Sequence, residues 1–363
     1  MTIRGIGLVV HGGKTIAQET AERVSRWAAD RGVRCTEVDV WDADFGRLSA
    51  REEAARAGDP DLVVTIGGDG TFLRGARIAA PIGALVLGIN VGRLGFLTEV
   101  TLDSLDDALA AVENHAITVD ARMMLTMRAS RPLEVPSGMD ALLRYGRGPA
   151  LPPPKARAAS AEELGWGVPL DILALNDVVF EKLARDRQAS IGVYVDGRLF
   201  ASYSADGLIV SSPTGSTAYS FAAGGPILAP HLDALVFTPV APHMVFNRSL
   251  VVSVEQRIGV LVLRHSGQVA VSVDGELRGV LDPGDWVSVY AGPQRSRLVR
   301  VDDSNFFDRV RSRFGLADAP AALADGDAPL VYDPGVPLPP DLAHPGPHDS
   351  AAGWHRDAGG PSD

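Results

Sequence analysis

The stretch "VVTIGGDGTFLR" (63–74) runs a short β-forming segment into three glycines set around one aspartate, and then into a helical pattern. Gly67, Gly68, Asp69, Gly70 and Thr71 therefore fall at a strand-to-helix junction. In open α/β sheets ligands bind at the carboxyl ends of the strands, where such junctions lie. Glycines there let backbone N–H groups approach an anion, and the start of a helix favours negative charge. A carboxylate in that setting repels a phosphate unless it has another task. Two tasks fit: taking the proton of an attacking hydroxyl, or helping to hold Mg²⁺ between phosphates. A helix N-cap is the plainer role for Asp69, but it leaves three flanking glycines without a reason.

Working outward, "GIGLVV" (5–10), "DLVVTI" (61–66) and "ALVLGI" (84–89) read as buried strands, while 15–31 and "TFLRGARIA" (71–79) read as helices. This alternation predicts a parallel, Rossmann-like sheet with helices on both faces over residues 1–120. From about 171 the pattern changes to period-two runs such as "SIGVYVDG", "GLIVSS" and "QVAVSVDG". These predict antiparallel strands and a β-rich second domain, an antiparallel β-sandwich, over 121–290, with 291–315 returning to the first. Two Asp-Gly pairs, Asp196-Gly197 and Asp274-Gly275, sit where hairpin turns are expected. Sixteen of the 25 prolines fall in 131–170 and after Leu316, in Ala/Pro/Gly-rich stretches without periodicity. Both the 131–170 insertion and the 316–363 tail are expected to be disordered.

Composition narrows the function classes. The chain has 363 residues, 46% of them hydrophobic, and no apolar run approaching the ~18 residues that would suggest a membrane span. The N-terminus lacks a signal-peptide cleavage pattern, and the single Cys35 fits a reducing cytoplasm. Eight Asp against one Arg beyond Leu316 account for most of the net charge of −11, and the rest of the chain offers no basic footprint for nucleic acid. The eight histidines never take metal-ligand spacing, so no bound metal is expected in the protein itself.

Four further segments carry candidate chemistry. "LVVHGGKT" (8–15) misses P-loop spacing because position 8 is Leu8, but Gly12, Gly13 and Lys14 form a turn able to face ATP phosphates. In "NVGRLGFL" (90–97), Gly92 and Gly95 permit close approach and Phe96 can lie against a flat ring. "ADGLIVSSPTGSTAYSFAAGGPIL" (205–228) offers hydroxyls and free N–H groups around Thr217, with Asp206 before the strand and Tyr219 as a face for a base. "ALNDVVFE" (174–181) places Asn176 and Asp177 in mid-strand, where an amide and a carboxylate match an adenine edge and a ribose diol.

Taken together and in this order, GGDGT, NVGRLGFL, ND, DGLIVSSPTGSTAYS and AGGPIL resemble the NAD kinase family, in particular its actinobacterial members. The resemblance runs from about Ile3 to Phe314 without the 131–170 insertion. It implies a phosphofructokinase-like first domain and phosphorylation of the 2′-hydroxyl of the adenosine ribose of NAD⁺ by ATP, or by polyphosphate, with Mg²⁺. It also implies that Asp69 is the general base, with Gly70 beside the ribose, Arg74 near phosphate and Phe96 at the adenosine. Asn176 and Asp177 would grip adenine and ribose, Asp206 the nicotinamide side, and Thr217, Ala218, Tyr219 and Ala222 would line the pocket. Arg187 and Ala241 fall near positions that touch NAD in relatives. Family members are homodimers or homotetramers. GGDGT by itself is shared with diacylglycerol and sphingosine kinases, so a lipid kinase and a non-catalytic dinucleotide-binding regulator are the rival readings.

Overall fold

Three strands near the N-terminus are apolar over nearly their whole length. Strand β1 (Gly5–Val10), β3 (Leu62–Gly67) and β4 (Leu85–Asn90) are buried along their whole length, as strands covered on both faces must be. The computed structural model describes residues 3–42, 45, 48–92, 95–136, 152–160, 163, 165–184, 186–301, 305–316, 336 and 339. With β2 (Arg34–Val38) these strands form a parallel sheet in the order β2-β1-β3-β4. Helices α1 (Thr15–Asp30) and α4 (Leu105–Glu113) pack on the face carrying Ile6, Leu8, Val64 and Leu87. Helices α2 (Ala50–Arg56) and α3 (Asp69–Ala79) pack on the other, against Val9, Val63 and Val86.

The remaining strands differ in burial. They are β5 (Thr118–Ala129), β6 (Val168–Ala174), β7 (Asp177–Lys182), β8 (Ala189–Val195), β9 (Arg198–Ala205) and β10 (Gly207–Ser211). After a 3₁₀ turn at Thr214–Thr217 and the short helix α5 (Tyr219–Ala222) come β11 (Ala234–Val240), β12 (Leu250–Ser253), β13 (Ile258–Val262), β14 (Val269–Val273), β15 (Glu276–Leu281) and β16 (Trp286–Arg300). Of these strands, β13 alternates, whereas β7, β10, β11 and β15 are buried over most of their length. Helix α6 (Phe306–Phe314) follows. One six-stranded antiparallel sheet, β12-β11-β10-β7-β14-β15, faces the antiparallel part of a ten-stranded sheet. The core between them includes Leu125, Met127, Phe180, Ile191, Val210, Phe237, Val260 and Val271. The fold is thus an α/β layer with a β-sandwich.

Strand β16 belongs to both halves. Its first residues pair antiparallel with β13, its Arg297 and Leu298 pair in parallel with β4, and β5 runs antiparallel beside it throughout. The boundaries expected at 120 and 290 fall inside β5 and β16. Residues 1–313 form one unit, and 314–363 a second, of which only 314–316, 336 and 339 are described; the rest of the expected tail lies outside the described residues.

The disorder expected over 131–170 needs correction at both ends. Arg131 is bound by Asp282 and Asp285, Glu134 bridges Val280, and Arg157 and Lys155 exchange backbone hydrogen bonds with Pro169 and Asp171 beside β6. A Pro-rich chain lying extended along a sheet edge needs no hydrophobic period, which is why composition misled here. Residues 137–151 lie outside the described residues. Both Asp-Gly pairs form the expected hairpin turns, with Asp196 and Asp274 at φ +49° and the glycines at +76° and +79°.

A buried ion pair ties α3 to its neighbours. Arg77 binds both carboxylate oxygens of Glu53 on α2 at 2.9 Å and reaches Glu276 on β15 at 3.3 Å. Glu53→Gln leaves a buried guanidinium half-paired and should destabilise the protein by about 3–5 kcal/mol, read as a lower urea midpoint. A change below about 1 kcal/mol would show that the pair does not hold α3 in place.

Candidate functional site

The carboxyl ends of β1, β3 and β4 bring three segments side by side: 11–14, 67–71 and the loop from 91 to 98, of which Arg93 and Leu94 are not described. Asp69 is the first residue of α3, and Gly68 is the N-cap. The capping role is therefore excluded, and the aspartate turns to the neighbouring loop. Its Oδ1 accepts the backbone N–H groups of Leu97 and Thr98 at 3.2 and 3.3 Å and the Thr98 hydroxyl at 3.3 Å. Among the described residues, its Oδ2 accepts the N–H of Phe96, at 2.9 Å. Asn90, 4% exposed, donates to the Thr98 hydroxyl at 2.8 Å and so fixes that donor. A Cβ at Gly95 would overlap the Asp69 carboxylate, so only glycine lets the loop close on it. By contrast, a Cβ at Gly68 or Gly70 would meet no described residue within 4 Å. The described residues give no packing reason for these two glycines.

Asn176 and Asp177 do not lie in mid-strand. They stand at a corner where the chain leaves β6 in one sheet and enters β7 in the other. Ser211 and Ser212 donate to the Asn176 carbonyl at 3.2 and 2.9 Å, and a Cβ at Gly215 would strike that same carbonyl. On the N–H side, the Asp274 carboxylate collects Leu175, Asn176 and Asp177 at 2.8, 2.8 and 3.1 Å. The corner's backbone is thus satisfied internally, while neither the Asn176 amide nor the Asp177 carboxyl has a hydrogen-bond partner among the described residues. Asp177 is 4% exposed. Burial, then the nearby charges of Asp274 and Glu181, push its carboxyl up to about 8. Burial also raises Asp274, to about 6, with its three N–H donors opposing the rise.

Two family models match the chain: the ATP-NAD kinase N-terminal domain over residues 6–117 and the ATP-NAD kinase C-terminal domain over 175–301. A relative from Streptomyces avermitilis, named NAD kinase 1, is 59% identical over 354 residues, which cover 96% of this chain and 99% of the relative. The chain belongs to the NAD kinase family. Its fold is similar to that of yeast NADH kinase complexed with NADH, with a TM-score of 0.67 at 18% identity over 87% of this chain and 89% of that one. It is also similar to an NAD kinase from Archaeoglobus fulgidus in complex with ATP, with a TM-score of 0.57 at 22% identity over 86% and 96%.

Within this NAD kinase fold the other expected residues take varied places. Asp206 is paired with Lys182 at 2.6 Å. Tyr219 donates to Glu181 at 3.1 Å, and burial together with that carboxylate pushes the phenol up to about 12. The Thr217 hydroxyl donates to the Thr214 carbonyl at 3.3 Å; Ala218 is half-buried and Ala222 exposed. Arg187 and Ala241 are exposed, Ala241 at φ +45°. Gly12, Gly13 and Lys14 line an open cleft of about 480 Å³ with His11, Glu37 and Trp41. The Thr71 hydroxyl is buried under Gly67 and does not face the open side.

Arg74 stands otherwise than expected: its guanidinium is spent on Glu276, on the Val40 carbonyl at 3.0 Å and on the Trp41 ring, 3.8 Å from its centroid. Sequence reasoning missed Thr98 and Asn90, although a polar residue ending an apolar strand was a usable signal for Asn90. It took Asp274 for a turn residue only. Nothing local separates "YVDGRL" from "SVDGEL", because the three N–H groups that Asp274 holds come from a strand about a hundred residues earlier.

Asp177 gives a pH test. Its folded-state value lies above that of an unfolded carboxyl, so the native protein holds more protons between the ordinary carboxylate range and about 8. Stability is fully present below that window, falls as pH rises through it, and levels off above. Asp177→Asn removes that loss. Its melting temperature relative to the parent should rise from about pH 5 to about pH 8 and then flatten; a pH-independent difference would contradict a protonated Asp177.

Proposed function

We propose that the chain transfers the terminal phosphoryl group of ATP to the 2′-hydroxyl of the adenosine ribose of NAD⁺, giving NADP⁺ and ADP, with Asp69 as general base. One observation carries this reading. Asp69 is fixed by three backbone donors at the strand-to-helix junction, yet Oδ2 accepts one hydrogen bond among the described residues and so keeps acceptor capacity. A ribose hydroxyl is far too weak an acid for a carboxylate to ionise in advance. The proton passes to Oδ2 as the 2′-oxygen forms its bond to the γ-phosphorus and the bond from that phosphorus to the bridging oxygen of ADP breaks. Such assistance is worth roughly 10²–10⁴-fold; in-line positioning supplies much of the remainder.

On this reading ATP enters as its Mg²⁺ complex. The ion would then be held mainly by phosphates and water. Gly12, Gly13, Lys14, Gly67 and Gly68 supply N–H groups and one cation for the phosphates; polyphosphate would use the same groups. Asn176 offers its amide to adenine. Asp177, protonated near neutral pH, donates as well as accepts at the ribose diol. Phe96 lies at the adenosine, Asp206 at the nicotinamide side, and Thr217, Ala218, Tyr219 and Ala222 along the dinucleotide, with Arg187 and Ala241 at the rim. Arg74 steadies α3 through Glu276. A homodimer or homotetramer in the cytoplasm completes the reading; no described helix is long and apolar enough to cross a membrane. The hydroxyl-bearing 214–220 turn disfavours a lipid substrate, and the presence of Asp69 disfavours a silent regulator.

With NAD⁺ and MgATP, Asp69→Asn should lose roughly 10²–10⁴-fold in kcat while NAD⁺ affinity holds within a few-fold; near-parental turnover would remove the base assignment. Gly95→Ala, which forces the carboxylate aside, should cost about 1–3 kcal/mol of stability and lower kcat at least roughly tenfold. An unchanged kcat in that variant would mean that the loop does not set the acid's position.

A further inference from the structure

A chain of buried charges runs behind the site, from the loop that holds Asp69 to the turn on the dinucleotide side. At one end, Leu97 donates its N–H to Asp69, and its carbonyl accepts from Arg300 on β16 at 3.5 Å. Arg300, 7% exposed, also binds Glu99 at 2.8 Å, and its Nε and a terminal nitrogen both reach Asp120 Oδ2 at 3.3 Å. Asp120, on β5, is held on both oxygens by Arg122. Arg122 is 3% exposed, and its other terminal nitrogen donates to the Thr214 hydroxyl at 3.4 Å. Thr214 opens the 214–217 turn and accepts the Thr217 hydroxyl.

We propose that Asp120 is a positioning residue: through Arg300 and Arg122 this half-buried carboxylate sets the Asp69 loop and the Thr214–Thr217 turn at a fixed separation. The proposal rests on the reading of Asp69 as general base.

Two arguments support it. An Arg–Asp–Arg array is a poor device for stability alone, since well-packed apolar residues of similar volume commonly do as well or better. This array also meets, at its two ends, the Leu97 carbonyl next to Asp69 and the Thr214 hydroxyl, while Asp120 keeps slight contact with solvent. Burial alone would raise Asp120, but the bonds from Arg122 and the charge of Arg300 outweigh it and hold the carboxyl below its ordinary range, so it stays charged between its partners. Other titratable or charged groups around the array are His231, 3.9 Å from Asp120, and Arg309 of α6, 3.9 Å from Glu99. A misplacement of about 1 Å between base and substrate can cost roughly 10²-fold in rate, so a rigid link between the two has a catalytic use.

The test is a set of double-mutant cycles on the full chain, with NAD⁺ and MgATP. Arg122→Gln frees only the Thr214 arm and should raise the KM for NAD⁺ several-fold with kcat nearly unchanged. Asp120→Asn frees both arms and should also lower kcat roughly tenfold. In an Asp69→Asn background the kcat effect of Asp120→Asn should shrink to under about twofold, because the loop matters to turnover only through the acid it holds, while its KM effect persists. If the kcat loss appears in full in that background, or if Asp120→Asn changes neither constant, the proposal is overturned. If Asp120→Asn does not melt cooperatively, Arg300→Lys replaces it in the same cycle, with the kcat loss expected and no KM change required. An Asp69→Asn variant with parental kcat would instead refute the base reading, so the two failures are distinguishable.

Discussion

The site is organised by the seating of one carboxylate on three consecutive backbone N–H groups. Asp69 cannot leave α3, and the 95–98 loop cannot leave β4, so their meeting fixes the distance between two adjacent strand ends. Charged acceptors make stronger hydrogen bonds than neutral ones, and Gly95 is small enough for the loop to reach the acid. Oδ1 takes three of the donors found among the described residues and Oδ2 one. A helix residue held in this way by the neighbouring loop has little freedom to change its position.

Two links then tie the α/β layer to the sandwich. Strand β16 is shared, so the two halves are joined by ladder hydrogen bonds and not only by a surface contact. On the helix side, Arg74 and Arg77 of α3 meet Glu276, two residues beyond Asp274, which in turn holds the corner at Asn176 and Asp177. The helix that carries Asp69 is thereby linked, through Glu276 and Asp274, to the residues proposed for adenine and ribose.

The two site carboxyls show opposite treatment by their surroundings. Asp69 receives four hydrogen-bond donors. Asp177, at the sheet corner, receives none from the described residues and lies near other carboxylates, so its neutral form is favoured to about pH 8. The proposed base thus sits among hydrogen-bond donors, whereas the surroundings of Asp177 favour its protonated form.

The parallel strands, the hairpin turns and the site position of GGDGT were legible in the sequence because each depends on residues adjacent in the chain. An apolar run, a glycine cluster or an Asp-Gly pair carries its own conformational preference. Proximity across the chain has no such local signature. The partner of Asp69 at 96–98, the capping of residues 175–177 by Asp274, the diversion of Arg74 to Glu276 and the array centred on Asp120 all join segments far apart in sequence. They are decided by strand order and register, which follow from how the whole set of apolar faces packs.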